Sequence, residues 1–223
     1  MKCYVLIMAA GSGSRFGAEI PKQFHELAGK PVVMHAIQQF LNWRNDIEII
    51  IVLPAGYLTY WKNLTAKYSF NVPHSVTEGG ATRFLSVRNG LALTGDDGLV
   101  AVHDGVRPLV STDTITRCFE TAEKYGSAVP VINPADTVRL ETEQSSTTFD
   151  RNRVKLVQTP QVFRADIIRK AYMQDYNPGF TDDATVVEKS GIAIHLVEGN
   201  RENIKITNPE DLAVAGALLH YIF

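Results

Sequence analysis

Short apolar stretches recur along the 223-residue chain, and polar segments separate them. The stretches cover residues 4–9, 47–53, 99–102, 128–132 and 192–197. Most are continuous runs of Val, Ile and Leu without polar alternation, which is typical of strands covered on both faces. We therefore predict a mainly parallel β-sheet buried between layers of helices.

Helical periodicity follows several of these strands. The apolar residues of segment 32–41 fall on one helical face, and so do those of segment 115–122, which follows a Ser-Thr-Asp start suited to an N-cap. A last helix is predicted to begin at Pro209, with Asn208 as its cap. This β-α-β-α order predicts a Rossmann-like three-layer α/β/α sandwich, with residues 1–223 forming one domain. Its functional loops should lie at the carboxyl ends of the strands.

One segment, residues 135–161, departs from the pattern. Two polar strand-like arms, 137–141 and 153–158, are separated by a Gln-Ser-Ser-Thr-Thr stretch. The segment reads as a β-hairpin with too little apolar surface to fold back on the main core. We predict a projecting β-arm through which two copies of the chain form a homodimer.

Composition and charge narrow the possible partners. The chain is 45% hydrophobic and 21% charged, with a net charge of −2, which disfavours nucleic acid or a membrane surface as a partner. We expect no transmembrane segment and no secretory leader. The two cysteines, Cys3 and Cys118, lie far apart in apolar surroundings and are predicted to be reduced thiols. A cytoplasmic location is expected.

A glycine-rich turn, "AAGSGSRFG", follows the first predicted strand. Phe16 stands where a dinucleotide-binding Gly-x-Gly-x-x-Gly fingerprint needs its third glycine, and residues 30–35 contain no acid for a ribose. A P-loop lysine is also missing. Glycines still let the backbone approach an anion, and Arg15 and Lys22 add two cations. The turn therefore predicts a site for phosphoryl chemistry, in which negative charge builds up.

A carboxylate ends the strand predicted at residues 99–102. Asp104 would lie at the edge of the sheet where ligands bind, and Mg²⁺ prefers one or two carboxylates together with phosphate oxygens. We predict Asp104 as a magnesium ligand. Its neighbour His103 is predicted to be structural, and Arg107 to bind a phosphate or pair with an acid.

The turn, followed by "PKQF", resembles the signature of sugar-nucleotide pyrophosphorylases and cytidylyltransferases. The resemblance implies that Arg15 and Lys22 stabilise the α-phosphate of a nucleoside triphosphate. It implies further contacts with the nucleotide by the glycine-rich turn and by the "GGATRFLSV" stretch, where members often carry an acid in place of Ala81. These nucleotide-binding residues are Ala9, Ala10, Gly11, Ser12, Gly13, Gly79, Gly80, Arg83 and Ser86.

Two later motifs extend the resemblance. In "NIKIT", Lys205 would point at the α-phosphate and the incoming nucleophile. In "DRNRVKLVQTPQ", Arg151 and Thr159 would bind the phosphate of the acceptor, in the site of the neighbouring subunit. Arg15, Lys22, Arg151 and Lys205 are thus the implied catalytic residues. Thr159 from the resemblance, and Asp104 and Arg107 from their place at the strand end, are the predicted substrate ligands.

The activity that the resemblance implies is transfer of the cytidylyl group of CTP to a five-carbon polyol phosphate, with release of pyrophosphate. Two acceptors stay open, methylerythritol phosphate and ribitol phosphate, and the "DRNRVKLVQTPQ" segment favours the first. An NAD-dependent oxidoreductase is disfavoured by the glycine spacing. An inactive nucleotide-binding module is disfavoured because Arg15, Lys22 and Asp104 are all present.

Overall fold

The computed structural model of the chain describes residues 1–11, 16 and 20–222. The strands are β1 (Cys3–Met8), β2 (Glu26–Leu27), β3 (Lys30–Pro31), β4 (Glu48–Leu53), β5 (Ser75–Glu78), β6 (Leu99–Asp104), β7 (Ser127–Ile132), β8 (Val138–Glu141), β9 (Ser146–Phe149), β10 (Leu156–Val157), β11 (Gln161–Arg164) and β12 (Leu196–Glu198). The α-helices are α1 (Val32–Trp43), α2 (Leu58–Lys67), α3 (Arg83–Leu91), α4 (Thr112–Tyr125), α5 (Ala165–Ala171), α6 (Asp183–Lys189) and α7 (Pro209–Ile222).

Within the described residues, eight strands form one mixed sheet in the order β10-β7-β11-β6-β1-β4-β5, with β12 also paired to β7. The pairs β1–β4, β1–β6, β4–β5 and β7–β12 are parallel. Antiparallel β11 lies between β6 and β7 and bonds to both. The prediction of a mainly parallel sheet is therefore confirmed, with β10 and β11 as the reversed strands.

Helices cover both faces of this sheet. The side chains of β1 alternate between two cores: Val5 and Ile7 join the core packed by α1, α2 and α4, whereas Tyr4 and Leu6 join the core packed by α3, α5 and α6. Burial on both faces explains why these strands read as unbroken apolar runs. The three-layer α/β/α sandwich is confirmed.

Two strand predictions need correction. Residues 192–197 were expected to form a strand, but only Leu196–Glu198 does, because this edge strand pairs along a short stretch of β7. The short strands β5 and β11 were not predicted, since each has only four residues and no continuous apolar run.

The hairpin is shorter than the segment 135–161 predicted to form the arm, and its strands differ. Strand β8 pairs with β9, so the Ser-Thr-Thr stretch expected to be a turn is itself the second strand. The segment expected to be that second strand contains a 3-10 turn, Arg151–Arg153, and then β10, which joins the main sheet beside β7. The hairpin of β8 and β9 is a separate two-stranded sheet.

Helix starts follow the sequence signals. The Ser111 side chain accepts a hydrogen bond from the Thr114 N–H and caps α4, and α7 begins at Pro209 as predicted. Both cysteines are buried and unpaired. Among the helices of the described residues, none is long and apolar enough to cross a membrane.

Candidate active site

A cleft of about 480 Å³ opens at the carboxyl ends of β1 and β6. Parallel strands place their carboxyl ends along one edge of the sheet, so segments distant in sequence meet there. Nine of the residues predicted from the sequence line this cleft: Ala9, Ala10, Gly11, Lys22, Gly80, Arg83, Ser86, Asp104 and Lys205.

Asp104, the last residue of β6, lies among three cations. Its Oδ2 is 3.0 Å from Nζ of Lys205 and 3.3 Å from Nε of Arg107, and its Oδ1 is 4.0 Å from Nη2 of Arg83. Burial opposes ionisation of this carboxyl, but the charges of Lys205, Arg83 and Arg107 outweigh it and hold the pKa of Asp104 well below its usual range. The carboxylate is therefore ionised at neutral pH.

His103 and Thr159 support Asp104 from the protein interior. The Thr159 hydroxyl accepts a hydrogen bond from the Asp104 N–H and lies 3.1 Å from Nδ1 of His103. Burial lowers the pKa of His103 to about 4, so its ring is neutral at pH 7. Thr159 is itself buried, in the loop before β11, so the expectation that it lies on the projecting arm is wrong.

Arg107 is also bound within the protein. Its Nη1 donates to the carbonyl of Asn203 at 2.7 Å, and the Asn203 side chain donates to the carbonyl of Thr159 at 2.8 Å. Asn203 is fully buried, two residues before Lys205. These bonds tie the segment that carries Lys205 to the end of β6. Neither Arg107 nor Thr159 lines the part of the cleft formed by the described residues.

The buried side chain of Gln23 holds the start of the glycine-rich turn in place. The Gln23 side chain, almost fully buried, donates to the carbonyls of Ala9 at 2.5 Å and Gly11 at 3.1 Å. Phe16 is buried in a small apolar core that includes Val106 and Ile206. Ser12, Gly13 and Arg15, predicted to contact the triphosphate, lie outside the described residues.

One wall of the cleft is the start of the glycine-rich turn, and the second is a tight turn before α3. The Ser86 hydroxyl accepts a hydrogen bond from the Gly80 N–H and donates to the carbonyl of Thr82, so it is engaged within the turn. A Cβ on Gly79 would collide with Cβ of Ala10, which explains the first glycine. Gly79 does not line the cleft but allows its two walls to approach each other.

Arg83 is held by a carboxylate on a different helix. Its Nη1 and Nη2 donate to the two oxygens of Asp183 at 2.9 and 2.6 Å, and the Tyr172 hydroxyl donates to Oδ1 at 2.6 Å. Burial and the neighbouring Asp183 charge raise the pKa of Tyr172 well above its usual value. Arg83 therefore lines the cleft with one side of its guanidinium already paired.

The described residues of one chain do not bring Arg151 to this cleft. Its Nη1 donates to the carbonyl of Ala135 at 2.7 Å, and it lines a separate cavity of about 350 Å³ with residues that include Asn133 and Arg201. Of the expected acceptor ligands, Arg151 is the one that lies at the base of the arm.

The side chains around Asp104 show whether the predicted Mg²⁺ ion fits this site. In the part of the chain that the structure describes, no group of three or more His, Cys, Asp or Glu side chains could hold a metal ion. Asp104 instead offers one ionised carboxylate in a cleft rich in cations. That donor set fits a Mg²⁺ ion that completes its coordination with phosphate oxygens and water.

Several site residues have roles that the sequence analysis did not assign. Gln23 was quoted in the "PKQF" motif without a function, although a buried amide beside a glycine turn is a natural partner for its carbonyls. Asp183 and Tyr172 carried no sequence signal for their pairing with Arg83, because Asp183 and Arg83 are 100 residues apart.

Comparison with known proteins gives one consistent result. A family model described as 2-C-methyl-D-erythritol 4-phosphate cytidylyltransferase matches residues 3–221. A protein of that name from Bacteroides thetaiotaomicron is 50% identical over 219 residues, which cover 98% of this chain and 100% of the relative. One from Bacteroides fragilis is 51% identical over 214 residues, covering 96% and 98%. A crystal structure of the enzyme from Thermus thermophilus aligns with a TM-score of 0.79 at 32% identity, covering 99% of this chain and 100% of that one.

Fold, cleft and similarity together place the chain among the nucleotidyltransferases, enzymes that transfer a nucleotidyl group from a nucleoside triphosphate. More narrowly, it belongs to the family of 2-C-methyl-D-erythritol 4-phosphate cytidylyltransferases. The resemblance drawn from the motifs is confirmed. Neither an NAD-dependent oxidoreductase nor a ribitol phosphate enzyme is favoured by these likenesses.

Proposed function

We propose that the chain transfers the cytidylyl group of CTP to 2-C-methyl-D-erythritol 4-phosphate, giving 4-diphosphocytidyl-2-C-methyl-D-erythritol and pyrophosphate in isoprenoid precursor synthesis. One observation carries the proposal: Lys22, Lys205 and Arg83 line the same cleft as the Asp104 carboxylate. A cleft that gathers cations around one carboxylate suits a polyphosphate, whereas hydride transfer does not need such charge.

The reaction is a single in-line displacement. An oxygen of the acceptor phosphate attacks the α-phosphorus of CTP, a new P–O bond forms, and the bond to the β-phosphate oxygen breaks as pyrophosphate leaves. A phosphate monoester has its second pKa near ~6 and is already an anion at neutral pH, so no strong general base is needed. Catalysis then consists of positioning and charge stabilisation.

Each cationic side chain has its own role in the reaction. Lys22, at the start of the 3-10 turn Lys22–Phe24, stabilises the charge that builds on the α-phosphate, and Arg15 is assigned the same role from its motif alone. Lys205 positions the attacking phosphate. Its side chain is 43% exposed although its ammonium contacts Asp104, so it can reach an incoming phosphate.

We place the cytosine against the turn at Gly80 and Ala81 and the neighbouring Ser86 of α3, which line the same cleft as Ala10 and Gly11. Since the Ser86 hydroxyl is engaged within the turn, its role is to hold the backbone groups that meet the base edge. Ala81 offers no side-chain contact, so recognition of the base rests on that backbone.

Asp104 would hold a Mg²⁺ ion together with the triphosphate. Such an ion would neutralise phosphate charge and improve pyrophosphate as a leaving group. Asp104 itself stays ionised and orients Lys205, because the two lie 3.0 Å apart.

We also propose a homodimer formed through the arm, in which Arg151 and its partner's Arg151 each serve the opposite cleft. Exposed apolar side chains on the arm and on the neighbouring sheet edge support this assembly: Leu140, Leu156, Val157 and Leu196. Arg107 and Thr159 act from behind Asp104, and Arg151 alone acts from the arm. A cytoplasmic location, compatible with the two buried thiols, completes the proposal.

Pyrophosphate release from CTP tests the activity. We expect rapid release with 2-C-methyl-D-erythritol 4-phosphate and little with ribitol 5-phosphate or without acceptor. Equal or faster release with ribitol 5-phosphate would assign the other acceptor. No release with either, from folded protein and with Mg²⁺ present, would contradict the proposed function.

Subunit mixing tests the shared site. Arg151→Ala and Lys22→Ala chains, each nearly inactive alone, should regain activity when refolded together, because a mixed dimer contains one cleft free of both changes. If mixing restores nothing while the dimer still forms, Arg151 does not act across the interface.

A further inference from the structure

A fully buried carboxylate lies beside the cleft without touching it. Asp183 is the first residue of α6, and it receives two hydrogen bonds from Arg83 and one from Tyr172. A carboxylate in this setting is stable only because its charge is paired, and breaking such a pair leaves a buried charge uncompensated. The pair between Asp183 and Arg83 therefore fixes the guanidinium with two bonds.

Arg83 stands between two carboxylates. Its Nη2 lies 2.6 Å from Oδ2 of Asp183 and 4.0 Å from Oδ1 of Asp104. Because attraction weakens with distance, Asp183 holds the guanidinium and Asp104 keeps its closer contact with Lys205. Without the Asp183 charge, Asp104 would become the nearest carboxylate partner available to Arg83.

Both ends of this pair are anchored to the starts of helices. Thr82 caps α3 by accepting from the Leu85 N–H, immediately before Arg83. At α6, the Gln161 side chain accepts from the Ala184 N–H at 2.7 Å and donates to Asp182 at 2.8 Å. The position of Arg83 in the cleft wall is therefore set by α6 and by the strand that carries Gln161.

We propose that Asp183 is a positioning residue for the transfer reaction: it withholds Arg83 from Asp104 and keeps the guanidinium at the cleft wall, while Tyr172 orients the Asp183 carboxylate. This inference rests on the proposed function of the cleft. Asp183 acts through Arg83 and leaves the Asp104 carboxylate to Lys205 and the incoming phosphates.

A double-mutant cycle tests the inference. The kcat, the KM for CTP and the thermal midpoint are measured for wild type, Asp183→Asn, Arg83→Gln and the double variant. We expect D183N to lower kcat about tenfold with a smaller change in KM. In the R83Q background the same change should have less than about a twofold effect, because its route to the reaction is gone. Additive losses in kcat would overturn the proposal.

A neighbouring variant separates positioning from helix stability. Asp182→Ala removes the cap of α6, where Asp182 accepts from the Thr185 N–H, but leaves the Gln161 bond to the Ala184 N–H and the pair between Asp183 and Arg83 in place. We expect D182A to lower the thermal midpoint and to keep kcat. If D182A and D183N lower kcat equally, weakening of α6 explains both and the proposal fails.

A milder change decides the matter if D183N does not fold. Tyr172→Phe removes only the hydroxyl bonded to Asp183, and Tyr176→Phe is its control in the same aromatic cluster. Y172F should lower kcat about threefold in wild type and leave it unchanged in R83Q. An equal effect in both backgrounds contradicts the proposal. A wild-type protein without activity would instead contradict the proposed function. The assay of pyrophosphate release from CTP detects that outcome separately.

Discussion

The Thr159 hydroxyl accepts a 3.0 Å hydrogen bond from the backbone N–H of Asp104. The same hydroxyl donates to Nδ1 of His103, because Nε2 of that ring lies 3.0 Å from the Arg107 carbonyl and must carry the proton. One buried hydroxyl thus joins the strand end that carries the Asp104 carboxylate to the loop before β11.

Replacing this hydroxyl should destabilise the fold. Thr159→Val leaves the Asp104 N–H and the His103 ring nitrogen without partners, at a cost of roughly 1–3 kcal/mol for each buried group. Thr159→Ser keeps the hydroxyl and should lose about 1 kcal/mol or less. Urea denaturation measures both, and the prediction is wrong if the two variants are equally stable.

Stability should fall in mild acid because of His103. Its pKa is about 4 in the folded protein, compared with 6.5 as the ordinary value, since burial disfavours the charged ring. The unfolded chain takes up the proton below pH 6.5 and the folded chain only near pH 4, so stability is lost between these values, by roughly 3 kcal/mol in total.

His103→Gln should flatten that dependence. The free energy of unfolding, measured by urea at several pH values between 7 and 4, should decline less steeply in H103Q than in wild type. His220→Gln, at an exposed position on α7, is the control and should keep the wild-type slope. Parallel curves for wild type and H103Q would contradict the assignment.

Removing the Lys22 ammonium should slow the reaction and spare the fold. Lys22→Ala is expected to reduce kcat on the order of 10²-fold, the effect of losing one preorganised charge-stabilising group. The thermal midpoint should change little. Lys30→Ala, at an exposed position outside the cleft, serves as the matched control. Unchanged turnover in K22A would refute the proposed role.

The turn at Gly79 should not tolerate a side chain. Gly79→Ala introduces a Cβ that meets Ala10 and approaches the Ser86 oxygen at 2.8 Å, so the two walls of the cleft must move apart. We expect a loss of about 1–3 kcal/mol in stability and a raised KM for CTP. Gly216→Ala, whose nearest atom would be 3.7 Å away, should be neutral or stabilising. Wild-type behaviour of G79A would contradict the packing argument.

Parts of this structure follow directly from local sequence. The long central strands were predictable because each is buried on both faces, and the place of Asp104 followed from its position at a strand end. The second strand of the hairpin was not predictable from the sequence. Its polar residues are ordered by turn hydrogen bonds between Thr142 and Ser145 and not by a buried face.

The pairing of Arg83 with Asp183 could not be predicted from the sequence for a related reason. Arg83 lies at the start of α3 and Asp183 at the start of α6, where the helix dipole favours an acid and so already gives Asp183 a local explanation. Nothing in the local pattern indicates that they meet, because the fold alone brings α3 and α6 together on one face of the sheet. The same holds for Thr159 and Asp104, 55 residues apart.

The insertion of β11 between β6 and β7 has a consequence for biosynthesis. Strand β6 ends at Asp104, but the strand that covers its outer edge begins only at Gln161. At about 5–20 residues per second, the nascent chain carries that open apolar edge for several seconds on the ribosome. During this interval the half-made protein is exposed to edge-to-edge aggregation, and protection by a chaperone would matter most there.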